Sequence, residues 1–334
     1  MATTTEQRPD GSSPSSLRAT GRGRWGDPIF RWTVFGAASS VLVILGAMMF
    51  RTTIDSMPIF REFGFFGFLT GDTWSSGQSR SEVTGEYGAW PFIYGTVKLS
   101  LIAVVIAVPL AIGISLFTNE VAPKWLKKPL SYAIDTLAMI PSIVIAVVAI
   151  FFFIPYVTDP IARFLVDTPL GALPFFSGPA QRQSYFSAGL MVSIMILPII
   201  TAVTRETFAN TPADERHAAF AMGATRWEVM RHVIIPRGFP GMVGATMLGV
   251  GRALGETMVV AFTVGSSQRM GTSIFFGGDA ITAVIFNTFA TSSPEAIWGL
   301  LALGVTLFLM TTLVNILARL IVMRSGRVVG DAAV

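Results

Sequence analysis

The sequence predicts an all-α polytopic membrane protein with six transmembrane helices, on three observations. Apolar residues make up 52% of the 334-residue chain and charged residues 13%, against roughly 25% charged in a soluble globular protein. Mean hydropathy is +0.62, and the apolar residues gather in runs that approach the roughly 20 helical residues needed to cross a bilayer. Basic residues crowd the segments on one side of those runs. This composition excludes a soluble enzyme, a disordered scaffold and a secreted disulfide scaffold. With no cysteine there is no thiol chemistry, and two histidines, His217 and His232, are too few for the usual His-ligated metal site.

Residues 1–28 are rich in Ser, Thr, Gly, Arg and Pro without apolar periodicity, and read as a disordered cytoplasmic tail. The first span, 32–50, is too long for a signal peptide and no small-x-small cleavage site follows it, so it stays as an anchor. With the outer segment up to residue 91 it forms a region 29–91, whose aromatic run 58–69 is short for a crossing and is expected in the membrane interface. Spans at 92–117, 130–154, 185–203, 239–263 and 296–322 follow as a core, 92–322, and residues 323–334 form a cytoplasmic tail. Of the outer loops, 156–184 dips back toward the membrane near 170–176, and 265–295 carries a brief amphipathic helix over 280–289. Their exposed aromatics serve interfacial anchoring or the docking of an outer partner equally well.

With the N-terminus inside, sixteen Lys and Arg lie in inner segments and six in outer ones, leaving Lys98 and Arg252 within spans. That asymmetry predicts both termini in the cytoplasm by the positive-inside rule. The basic pI is therefore a topological signal toward membrane lipid, and no nucleic-acid partner is expected.

The inner segment 210–236 fits two short helices. Thr211 and Pro212, followed by Asp214 and Glu215, form a helix start; Gly223 breaks the run; Thr225 caps a second helix that Pro236 stops. Small residues at 218, 219 and 223 suit insertion into a cleft on another protein. The spacing Ala218-Ala219-x3-Gly223-x9-Val233-x-Ile235-Pro236 resembles the Glu-Ala-Ala signature of type I ABC importer permeases, with His217 in the position of the Glu. Four further stretches, 86–96, 138–144, 222–227 and 251–258, resemble the PstC-type permeases of phosphate-specific ABC importers, and the likeness covers roughly residues 55–322.

This resemblance implies the MetI-like type I ABC importer fold in the cytoplasmic membrane of a prokaryote. It also implies a PstA-like second permease, a PstB-like ATPase dimer, an extracytoplasmic phosphate-binding protein, and phosphate as cargo. The loop 205–238, through His217, Ala218, Ala219, Gly223, Ala224 and Pro236, would then couple to the ATPase. No Gly-x4-Gly-Lys-Ser/Thr motif occurs in the chain, so no cofactor is expected on it; ATP-Mg would sit on the partner ATPase, and the chain itself would be no enzyme.

Arg252 and Glu256 lie four residues apart in the fifth span. A charge at a helix centre costs about 2.5 to 3.5 kcal/mol on insertion scales, so such groups face a partner or a water-lined pathway. Either the two neutralise each other, or Arg252 meets an oxyanion with the paired donors of its guanidinium. Lys98 either extends that path or snorkels outward. Gly244, Gly251 and Gly255 fall on one helical face as a ridge for close helix packing. A permease for another oxyanion, sulfate or molybdate, and a secondary transporter using Arg252 and Glu256 as its ion site are the alternatives. A role as a membrane signalling partner is a third; the secondary transporter gives no reason for the spacing over 218–236.

Overall fold

The computed structural model describes residues 26–77 and 82–331. The tail expected over 1–28 lies outside the described residues up to residue 25, and the chain is helical from Gly26. Among the described residues, six helical stretches are long and apolar enough to cross a membrane: Pro28–Asp55, Trp90–Val121, Ser142–Asp167, Tyr185–Ala209, Arg226–Gly255 and Pro294–Ile321.

Residues 26–51 belong to a unit of their own and make up most of α1 (Gly26–Asp55). Phe30, Trp32, Leu42 and Phe50 each expose more than two-thirds of their surface. A helix apolar on every face is stable only in lipid or against other helices.

The second unit begins at Thr52. Its first part is α2 (Met57–Phe63) and α3 (Phe65–Thr70), joined at Gly64 with φ +70°, followed by a two-stranded antiparallel hairpin, β1 (Trp74–Ser75) and β2 (Glu86–Tyr87). One side of the aromatic run expected in the interface packs into protein core, and its Phe65 and Phe66 are exposed. Gly64 folds α3 back on α2, so Ile59 and Phe68 are fully buried with Tyr87, Phe92, Ile281, Leu300 and Leu303, while Phe66 stays outside. Buried Glu295 accepts hydrogen bonds from the Thr84 and Gly85 amides at 2.6 and 2.7 Å and ties the hairpin to the last helix.

At the centre stands α8 (Tyr185–Ala209), packed against α4 (Trp90–Leu116) and α11 (Ile235–Gly255). Along α4 every fourth residue from Gly95, namely Leu99, Ala103, Ala107, Ala111 and Ser115, is buried. With so little side chain between them the backbones approach closely, and Ser115 Oγ donates to Thr201 O at 3.0 Å across the interface. On α11 the glycines in close contact are Gly238, Gly241 and Gly249, against Phe208, Thr207 and Ile200. The expected ridge of Gly244, Gly251 and Gly255 instead meets nothing within 4 Å of an added Cβ. Among the described residues the ridge makes no close helix contact, and Gly244 faces α14 across a cavity.

The third crossing is shifted along the sequence from 130–154. α5 (Lys124–Met139) ends at Ile140, because proline constrains the residue before it to extended backbone, and Ile140 has ψ 126° ahead of Pro141. The crossing then runs from α6 (Ser142–Val148) through a π-helical stretch, Ala149–Thr158, into α7 (Asp159–Asp167). Consequently the outer loop begins near Thr168 rather than at 156, and its 170–176 segment is a 3-10 turn, Pro169–Ala172, with Leu170 and Phe175 exposed.

Two short helices, α9 (Ala213–Ala221) and α10 (Arg226–Val229), lie between α8 and α11. Pro236 does not stop the second. A π-helical turn, Met230–Ile234, carries the helix on into α11, so Pro236 lies inside one continuous helical stretch, Arg226–Gly255, with its missing amide directly after the widened turn. α11 ends at Gly255, the chain is extended at Glu256, and α12 (Met258–Thr263) follows, so the fifth span expected to 263 is broken. The loop 264–280 returns to α13 (Ile281–Thr288), close to the helix expected at 280–289. α14 (Pro294–Asp331) then continues helical through most of the expected tail 323–334.

Candidate translocation and coupling sites

Arg252 occupies the last turn of α11, where a cation complements the carbonyl end of the helix dipole, and its side chain is exposed. Glu256, the residue that caps the helix, is only 7% exposed. Its φ of −70° keeps it in the helical register, and its ψ of 124° turns the chain away after it. Among the described residues no ion pair joins them. Glu256 is fixed through its carbonyl, which accepts from Thr282 Oγ1 at 2.7 Å. Beside this break lies a cavity of about 510 Å³ lined by Gly255, Thr257, Thr282, Phe286 and Phe289. Leu248 and Arg252 are exposed beside the three open glycines of α11, of which Gly255 lines this cavity.

Lys98 reaches the 264–280 loop. Its ammonium donates to the carbonyls of Gly271 and Ser273 at 2.6 and 2.7 Å and lies 4.6 Å from the Tyr185 ring centroid. Tyr94 adds a bond to the same Gly271 carbonyl at 2.9 Å. Lys98 is thus a strap that holds the 264–280 loop to α4, and it edges an apolar cavity of about 550 Å³. The loop also carries Asp279, whose burial raises its carboxyl to about 7 against the opposing bond from the Ala280 amide.

The coupling segment is built from local signals. α9 closes in a Schellman turn: the Gly223 amide donates to Phe220 O at 3.0 Å and the Ala224 amide to Ala219 O at 3.1 Å, with Gly223 at φ +88°. Thr225 and Glu228 form a reciprocal capping box at the start of α10. Ala219 faces inward against the cluster of Phe208, Val229, Ile234 and Met242, with Ala224 half-buried beside it. His217, Ala218 and Pro236 are exposed. The sequence reading missed that Met222, 84% exposed, and Trp227 project from the same surface as large apolar groups. Their apolarity in a polar loop was the available signal, since large side chains left in water mark contact surfaces.

The model of the family described as binding-protein-dependent transport system inner membrane component matches residues 107–327. Phosphate transport system permease protein PstC of Haemophilus influenzae is 39% identical over 92% of this chain and 96% of its own length. The chain belongs to this permease family. Within it, the permease is also 41% identical to the PstC protein of Xylella fastidiosa strain 9a5c, over 75% of this chain and 78% of that one. PstC 2 of Mycobacterium tuberculosis is 36% identical over 89% and 92%.

Two solved structures share the fold. They are a bacterial ABC transporter involved in import of the acidic polysaccharide alginate, with TM-score 0.58, 16% identity, and coverage of 90% of this chain and 98% of that one, and the MetNI methionine ABC transporter, with TM-score 0.52, 16% identity and coverage of 71% and 96%. The permease is a multi-pass membrane protein with the MetI-like ABC importer fold.

Proposed function

We propose that the permease forms half of the translocation pathway of an ATP-driven inorganic phosphate importer and couples to a separate ATPase. The observation that carries this reading is the 39% identity to a phosphate permease along 92% of the chain, in a family match that runs through the coupling segment and Arg252. The exposed Leu248 and Arg252, beside the open glycines, accept a PstA-like second permease, and Arg252 then lies at the shared pathway as the donor for phosphate oxygens. The exposed surface of His217, Ala218, Met222, Gly223 and Trp227 seats in a PstB-like ATPase dimer, which holds ATP-Mg. The chain supplies no phosphate-binding loop and no catalysis. An extracytoplasmic phosphate-binding protein docks at the end formed by the hairpin and the 264–280 loop.

Both termini lie in the cytoplasm, supported by the basic asymmetry of the loops and the even number of spans. Because the chain has no cysteine, single cysteines report sidedness cleanly. Phe66→Cys, 76% exposed, is expected to react with an impermeant maleimide in intact cells, and Asp214→Cys, exposed on α9, only after the membrane is opened. The opposite pattern refutes the orientation.

For the cargo, proteoliposomes holding the complete transporter are expected to accumulate labelled phosphate only with internal ATP, and excess sulfate or molybdate is expected not to compete. Equal competition by sulfate, or uptake without ATP, would refute the phosphate importer.

A further inference from the structure

The coupling helix α9 has a slender apolar hold on the rest of the protein, since Ala219 is its one buried side chain. A polar clamp supplements it. Arg216 Nη1 donates to Glu120 Oε1 at 2.9 Å, and Nη2 donates to the Phe208 carbonyl. Glu120 sits in the π-helical turn Phe117–Val121 that ends α4, and Phe208 in the last turn of α8. The two charged side chains are 22% and 18% exposed, whereas Asp214 of α9 is exposed and Glu215 makes only a long, more exposed contact, 3.9 Å to Arg237 of α11. Other polar contacts continue from the same place into the membrane helices. Asn119 Nδ2 donates to Arg205 O at 2.7 Å, Lys127 Nζ donates to Asn119 O at 2.6 Å, and Arg205 lies 3.6 Å from Asp135 of α5.

We propose that the Arg216–Glu120 pair is the positioning contact through which displacement of α9 is passed to α4 and α8. It rests on the reading of α9 as the element gripped by the ATPase. The planar guanidinium suits the task because its fork engages a carboxylate and a carbonyl at once, so α9 cannot slide past one helix end without pulling the other. A lysine's compact ammonium lacks the rigid fork that fixes the two bonds in one plane. Removing either member leaves its partner charge largely out of water without compensation, which makes the contact stiff.

The test uses the complete transporter in proteoliposomes, with inorganic phosphate as probe, and reads uptake and ATP hydrolysis in the same vesicles. Arg216→Ala and Glu120→Ala are expected to assemble and hydrolyse ATP, while phosphate imported per ATP falls about tenfold. The double variant is expected to be no worse than either single, because the two act as a unit. Arg216→Lys is expected to assemble as the wild type does and to import less phosphate per ATP, to a degree between wild type and Arg216→Ala.

Wild-type stoichiometry in either alanine variant overturns the proposal, as do losses that multiply in the double. If the alanine variants fail to assemble, Arg216→Lys decides: reduced coupling upholds the proposal, and full coupling assigns the pair to folding and overturns it. Failure of the underlying functional reading is distinguishable, since the wild-type complex itself would then show no ATP-dependent phosphate uptake.

Discussion

Arg252→Gln is expected to abolish phosphate uptake while the transporter still assembles and still hydrolyses ATP. A phosphate ion carries one to two negative charges near neutrality and must shed much of its water to pass a narrow membrane pathway, a cost that only a charged donor offsets. Losing charge-assisted hydrogen bonds worth about 3 kcal/mol slows passage roughly a hundredfold. The opposing reading, an ion pair with Glu256 that merely neutralises both charges, requires the two side chains to meet. Arg252 is exposed while Glu256 is buried and displaced past the end of α11. Arg252→Gln should therefore leave folding intact. The decisive measurement is uptake and complex yield for Arg252→Gln, Glu256→Gln and the Leu/Met double variant. A double variant that transports normally would remove both residues from the pathway.

Gly223→Trp is expected to stop uptake or prevent docking of the ATPase, with the permease still inserted in the membrane. Any side chain at this position meets the strain of φ +88°, a cost of about 1 to 2 kcal/mol. Among the described residues no atom beyond its chain neighbours lies within 4 Å of an added Cβ, so a partner is what bulk here would meet. Gly223→Ala carries the same backbone strain without the bulk and serves as the control. It should keep most of its uptake, where Gly223→Trp loses at least about tenfold. Equal behaviour of the two variants would trace the defect to the turn and not to docking. His217→Glu, which restores the family pattern at an exposed position, is expected to be neutral.

What was legible in the sequence is what local chemistry controls. The apolar runs place six crossings because each must by itself span the hydrocarbon, and among the described residues four lie close to where hydropathy sets them, while the third is shifted and the fifth ends at Gly255. In the coupling segment the break at Gly223 and the cap at Thr225 were legible, whereas the part of Glu228 in the cap and the helix running on through Pro236 were not. Gly223 is needed for a left-handed turn and Thr225 with Glu228 for a cap, and both requirements are satisfied within a few residues. Pro141 ends α5, although hydropathy alone ran a span straight through it, since an apolar average is blind to one missing amide.

Only the tertiary structure decided which equivalent residues do which work. Six glycines of α11 look alike in sequence, yet Gly238, Gly241 and Gly249 meet α8 while Gly244, Gly251 and Gly255 stay open, because the rotation of the helix is set by its neighbours. Lys98 binds Gly271 and Ser273, more than 170 residues ahead, and Arg216 binds Glu120, 96 residues behind. Such pairs leave no local pattern. Periodicity and spacing follow from interactions within a few turns of one helix, whereas the partner of a charged side chain in a low-dielectric protein is fixed by whichever chain ends the packing of whole helices brings within reach.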